Sequence, residues 1–171
     1  MAILIDGYNL LHASGILARN IGPGTLQRAR EGLVGFLAAS LDESERNQTT
    51  IVFDAQAAMP ELASRQTRDG ITVIYAAGYD SADRLLEELI RAAPSPRRLV
   101  VVSSDRQVQR AAKRRRAKVV ESGPWFEDLR RRRREKLPPC PAPDEKPAPP
   151  ATEAEVEYWL RVFDERPSAD G

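Results

Sequence analysis

ILIDGYNLL, residues 3–11, begins as an unbroken apolar run, breaks on Asp6 and passes through Gly7, Tyr8 and Asn9 to Leu10 and Leu11. A short run without polar alternation marks a strand buried on both faces, as in a parallel sheet. Two further apolar segments close on an acid in the same way: IVFD ends on Asp54, and LVVVSSD ends on Asp105. Ligands of open parallel sheets bind at the carboxyl ends of the strands, where such acids meet.

Helical patterns separate these segments. After the Gly22-Pro23-Gly24 turn, Thr25 is placed to cap a helix to about Ser40, with Leu26, Ala29, Leu33, Phe36, Leu37 and Leu41 at helical spacing. Ser81 is placed to cap a second helix through Ile90, and Pro94 and Pro96 end it. Ser104 or Asp105 starts a third, and Gly123-Pro124 introduces a fourth from Trp125 to about Lys136. Strands are expected at Ala2–Ile5, Thr49–Phe53, Ile71–Tyr75, Leu99–Val102 and Ala117–Val120. Strands alternating with helices predict a doubly wound α/β domain with five parallel strands.

The chain of 171 residues carries a net charge of +1, which conceals strong segregation. Residues 97–136 hold 15 Lys or Arg against 5 acids; residues 1–96 hold 8 against 12, and residues 137–171 hold 3 against 8. A basic lobe beside clustered acids suits a protein that handles nucleic acid, although basic helices are also common as solvated surfaces. Seven prolines between Pro138 and Pro150 predict an extended linker over 137–150. Beyond it, 151–171 holds an acidic amphipathic helix with Val156, Trp159, Leu160 and Phe163 on one stripe, suited to docking on the basic lobe, a second copy or a partner. The α/β domain is thus expected to end at residue 136.

No run approaches the roughly 18 apolar residues of a membrane span, and the amino terminus lacks a basic leader, so a cytoplasmic protein is expected. One cysteine, Cys140, and one histidine, His12, exclude an internal disulfide and a zinc site. No phosphate-cradling glycine loop is present, so no nucleotide cofactor is expected.

Asp6, Asp54, Asp105 and the pair Asp80 and Asp83 are the candidate acids. Each has a structural reading beside the functional one. Asp6 and Asp105 suit turn or helix caps, Asp80 complements a helix dipole, and Asp54 either completes a site or begins a loop. Crowded carboxylates repel unless a cation neutralises them. The composition of the cluster therefore predicts a Mg²⁺ or Mn²⁺ site acting on phosphodiester bonds. Asn9 can aim its amide into the same crevice, Gly7 permits a close approach or a positive φ, and Ser103 and Ser104 can reach a phosphate or a water. Tyr8 suits either base stacking or burial. Arg106, Arg110, Lys113, Arg114, Arg115 and Arg116, together with Arg130 to Arg134, would hold a nucleic-acid backbone.

ILIDGYNLL, IVFDA, DSADRLLEEL and VVVSSDRQVQ, in this order over residues 1–136, resemble the NYN branch of the PIN-like nucleases, and its YacP-like bacterial subfamily in particular. The resemblance implies a three-layer α/β/α sandwich and metal-dependent endoribonuclease activity. It also implies ribosome association and mRNA as substrate. By position it assigns Asp6, Asp83 and Asp105 to metal binding, Asn9 to the site, and Asp54 less directly; Asp80 stands where the family often has a glutamate. The alternative is a non-catalytic RNA- or ribosome-binding module of the same fold. A phosphatase of the D-x-D-x-[TV] type is disfavoured, because Tyr8 occupies the place of the second acid.

Overall fold

The computed structural model describes residues 1–16, 24–54 and 65–136. The chain divides into units Met1–Lys136 and Leu137–Gly171; the expected linker and acidic helix of the second lie outside the described residues. Among its described residues the first unit has six strands: β1 (Ala2–Asp6), β2 (Thr49–Phe53), β3 (Arg65–Arg68), β4 (Ile71–Tyr75), β5 (Leu99–Val102) and β6 (Lys118–Val120). Its helices are α1 (Gly7–Ser14), α2 (Thr25–Ser40), α3 (Glu43–Arg46), α4 (Ala82–Ala92), α5 (Arg106–Arg114) and α6 (Ser122–Lys136).

The sheet runs β3-β4-β2-β1-β5-β6, with every pairing parallel except β3 against β4. This corrects the expected five parallel strands to six in a mixed sheet. β3 has the sequence RQTR, whose lack of apolar residues hides it from a periodicity reading. Its hairpin is closed by Asp69 at φ 50° and Gly70 at φ 85°, the pair of left-handed residues that a tight hairpin turn requires.

Side chains alternate between two cores, one on each face. Ile3 and Ile5 of β1, Ile51 and Phe53 of β2, and Val100 and Val102 of β5 join Leu10 and Leu11 of α1, Leu33 and Leu37 of α2, and Phe126 and Leu129 of α6. Leu4, Val52, Leu99 and Val101 face the other way, onto Leu85, Leu86 and Ile90 of α4 and Val108 and Ala112 of α5. Two helical layers around one sheet make the α/β/α sandwich.

Helix ends depart from expectation in small, physical ways. Gly24, not Thr25, occupies the N-cap of α2, and α6 begins at Ser122, since proline is tolerated in a first helical turn. α1 follows β1 without a connecting loop. That junction needs Gly7: a Cβ there would fall on the edge of the Phe53 ring and 2.7 Å from the carbonyl oxygen of Val52. Close approach, not a positive φ, is what the glycine allows.

Candidate active site

Strand order reverses at β1, which has β2 on one side and β5 on the other. In open α/β sheets the crevice forms at such a switch point, beyond the carboxyl ends of the strands. Asp6 ends β1, and Ser103 and Asp105 follow β5, so the expected neighbourhood of Asp6 and Asp105 comes from adjacent strands.

Asp6 is 2% exposed and is the N-cap of α1. Its Oδ1 accepts from the Asn9 backbone N–H at 3.1 Å, and its Oδ2 accepts from Asn9 Nδ2 at 2.5 Å and from Ser103 Oγ at 2.8 Å. Ser103 is fully buried, and its hydroxyl also accepts from the Asp105 N–H at 3.0 Å. One serine therefore joins the two acids. Asp105 caps α5, its Oδ1 accepting from the N–H groups of Gln107 at 2.7 Å and Val108 at 3.0 Å.

Asp83 lies in the first turn of α4, behind the Ser81 cap, and is half-buried. Burial, and after it the negative charges of Asp6, Asp105, Glu87 and Asp54, hold its carboxyl above the ordinary aspartate range. These acids thus share one electrostatic neighbourhood. Glu87, in the next turn of α4, accepts from Gln107 Nε2 at 2.6 Å and ties α4 to α5. Its place one turn after Asp83, on the same helix face, is the signal that could have found it.

Other expected residues stand apart. Asp80 is exposed and lines an open depression of about 290 Å³ with Tyr79, Arg84 and Glu88. Ser104 accepts from the Ser122 N–H at 3.2 Å, so it anchors the start of α6. Tyr8 is half-buried and its hydroxyl accepts from Arg30 Nη2 at 3.1 Å. Arg30 escaped the sequence reading: only 1% exposed, it lies 5.5–5.7 Å from the ring centres of Tyr8, Phe53 and Tyr75, and donates to the Asp54 carbonyl oxygen at 3.0 Å. It fixes the floor beside Asp54. Its register with Leu26, Leu33 and Leu37 in the apolar stripe of α2 was the available clue.

A divalent ion of the hard class takes carboxylate oxygens, and this donor set matches that chemistry. Among the described residues no three acids are grouped closely enough to hold one ion. Mg²⁺ sites commonly use one or two carboxylates and keep several waters, so the residues fit a partly hydrated ion better than an all-protein cage.

The cations divide. Arg106, Arg110, Lys113, Arg114, Arg115 and Arg116 are all exposed along α5 and its end. On α6, Arg130 pairs with Glu127 at 3.0 Å, Arg131 with Asp128, and Arg132 with Asp128 at 2.8 Å and Glu45 at 3.5 Å. Arg133 lies 5.3 Å from the ring centre of Phe36. Hydrogen bonds from Arg131 and then Arg132 hold Asp128 below the ordinary aspartate range. Arg130, Arg131, Arg132 and Arg133 of α6 are thus engaged within the fold, whereas Arg134 is exposed.

A mixed six-stranded sheet between helical layers, with acids at its switch point, is the architecture that a PIN-like fold requires. The YacP-like NYN domain matches residues 3–146, most of the chain, and the chain belongs to that family. The match runs ten residues past Lys136 into the proline-rich stretch, further than expected. The crystal structure of Rae1 (YacP) from Bacillus subtilis has a TM-score of 0.61 to this chain, with 20% identity, covering 95% of this chain and 81% of that one. A tryptophan-to-leucine mutant of the same Bacillus protein gives 0.59 and 19%, covering 98% and 87%. At such identity the likeness carries the fold alone. No curated protein matches. No helix among the described residues is long and apolar enough to cross a membrane.

Proposed function

We propose that this chain is a divalent-metal-dependent endoribonuclease that hydrolyses RNA phosphodiester bonds in the crevice at β1 and β5. It acts in the cytoplasm, on mRNA in association with the ribosome. The observation that carries the reading is the joining of Asp6 and Asp105 through buried Ser103, within reach of the charge of Asp83, in a YacP-like NYN fold.

Asp6, Asp83, Asp105 and Asp54 would hold Mg²⁺ or Mn²⁺ between them, one or two by direct carboxylate contact and the others through the ion's waters. When bound, such an ion orients a water and offsets the negative charge that develops on the phosphate. Asn9 and Ser103 hold the Asp6 carboxylate in one orientation, and the Asp105 carboxylate is set by its cap bonds. Arg106 and Arg110, on the first turns of α5, hold the RNA backbone beside the acids without reading its sequence. The products are a 5′-phosphate and a 3′-hydroxyl; a 2′,3′-cyclic phosphate would instead mean attack by the ribose hydroxyl.

Asp6→Asn and Asp83→Asn test the assignment separately, because only the first disturbs a helix cap. Both are expected to abolish Mn²⁺- or Mg²⁺-dependent cleavage while RNA affinity holds or improves. Undiminished cleavage by either purified variant removes the assigned site. A non-catalytic RNA- or ribosome-binding module is the second reading, favoured by the capping roles of Asp6 and Asp105. It predicts no metal-dependent cleavage by the unaltered protein and loss of its RNA binding when Arg114 to Arg116 are neutralised.

A further inference from the structure

The cations assigned to RNA do not all lie at the crevice. α5 starts there, at Asp105, and runs back along the sheet, so Arg115 and Arg116 lie at the opposite end, beside the start of β6. At about 1.5 Å per residue, Arg106 and Arg116 are roughly 15 Å apart along the helix axis. Arg97 and Arg98 arrive at the same far end on the 3₁₀ turn Pro96–Arg98, immediately before β5. Neither stands out in the sequence.

Arg97, Arg98 and Arg115 line one open depression of about 440 Å³ with Ser95 and Pro96, and among the described residues no carboxylate side chain borders it. The adjoining depression, lined by Gln48, Ala93, Ser95, Arg98 and neighbours, has none either. Among the described residues these arginines enter no ion pair, unlike Arg130, Arg131 and Arg132 of α6. Arg115 Nη2 donates to the Ala93 carbonyl oxygen at 3.2 Å, which holds that side chain over the Pro96–Arg98 turn.

Arg116 adds an independent observation. The N–H groups of Arg116 and Ala117 donate to the carbonyl oxygens of Lys113 and Ala112, the hydrogen-bond pattern that ends a helix on a left-handed residue. Arg116 holds that conformation at φ 61°, where glycine meets no Cβ conflict. A strained cation stands where glycine would fold more easily.

We propose that Arg97, Arg98 and Arg115, with Arg116 beside them, form a second phosphate-binding site for RNA, at the far end of α5 from the catalytic crevice. Guanidinium forks match phosphate oxygens in pairs, and an open, acid-free bowl admits an extended backbone. No aromatic side chain lines it, so contact there is independent of sequence. An RNA long enough to follow α5 engages both ends; a short one engages the crevice alone. This inference rests on the RNA reading above.

The test measures binding of poly(U) and of a short oligouridylate to the full chain without divalent metal, as a function of NaCl, for the unaltered protein and Arg97→Gln/Arg98→Gln. Loss of two phosphate contacts is expected to lower the slope of log K against log salt by about 1.4 for poly(U), with oligouridylate affinity unchanged. Arg116→Gly is expected to lose poly(U) affinity while its melting temperature rises, a combination that misfolding cannot produce. Equal losses for both RNAs, or no loss for either, overturn the second site. Failure of the unaltered protein to bind any RNA overturns the RNA reading and this inference with it.

Discussion

Ser103→Ala removes one hydroxyl and breaks two bonds in the buried link between β1 and β5. The lost donation to Asp6 Oδ2, at 2.8 Å, is a hydrogen bond to a buried carboxylate, worth about 1.5–3 kcal/mol. The Asp105 N–H, which donates to Ser103 Oγ at 3.0 Å, loses its acceptor in a half-buried place, adding about 1 kcal/mol. Asp6 keeps both bonds from Asn9, so its charge is not wholly stranded. The sum is about 2.5–4 kcal/mol, a large share of the roughly 5–15 kcal/mol that a domain commonly has. Urea denaturation of the full chain measures it, with an unchanged m-value marking a pure change in stability. Thermal melts should fall by on the order of 10 °C, at about 3 °C per kcal/mol for a domain of this size. Ser104→Ala is the control, since Ser104 is exposed and its Oγ accepts only from Ser122 N–H at 3.2 Å. A Ser103→Ala loss below about 0.5 kcal/mol, or one equal to the control, would refute the view that this serine holds the acids together.

Asp83→Asn addresses charge crowding. An acid whose pKa rises on folding binds more protons folded than unfolded between the two values, so stability falls as pH climbs through that window and is level above it. For Asp83 the window opens at the ordinary 3.8 and extends upward. Asp83→Asn is therefore expected to match the unaltered protein in acid and to melt higher at neutral pH; a gap independent of pH contradicts the crowding. Gly7→Ala tests the β1–α1 junction. Alanine in a helix normally gains about 0.5–1 kcal/mol over glycine, but here its Cβ meets Phe53 and the Val52 carbonyl, so a loss of about 1–3 kcal/mol is expected in the denaturation midpoint. A stabilised variant would disprove the contact.

The strands that bear the site were legible because they are buried on both faces and therefore apolar throughout. β2 and β4 fall at the expected residues, and β5 matches the expected Leu99–Val102. β3 was hidden because an edge strand needs no apolar run, although Asp69-Gly70 carried the hairpin signal. α1 was obscured because no loop residues separate it from β1. Within the site, acids at strand ends were readable by position, since topology alone brings Asp6 beside Asp105. Asp80 and Asp83 were separable by position: Asp80, before the helix, suits the dipole and is exposed, whereas Asp83, three residues further in, is half-buried. Side-chain commitments were the least readable. Ser104 and Arg130, Arg131 and Arg132 of α6 have suitable chemistry but bond within the fold, and Arg30 looks like a surface residue until its register is counted.

Capping and catalysis look like rival roles for these aspartates, but the geometry makes them complementary. α1 begins at Asp6, α4 at Ser81 just before Asp83, and α5 at Asp105, so three helices of eight or more residues start around one crevice. Each amino terminus carries roughly half a positive charge, which offsets repulsion among the acids without a bound ion. The cap bonds of Asp105 fall on Oδ1 alone. Asp6 places its backbone cap bond on Oδ1 and leaves Oδ2 to Asn9 and Ser103. A carboxylate so held cannot swing away when a cation or phosphate departs, which is what a site must avoid if its acids are to be in place for the next substrate. The same helices end at the far side of the sheet, where α5 delivers its arginines. Cations stand at both ends of α5, Arg106 and Arg110 beside the acids and Arg115 and Arg116 at the far side, so positive potential follows the helix as a track and meets the negative acids only at its start.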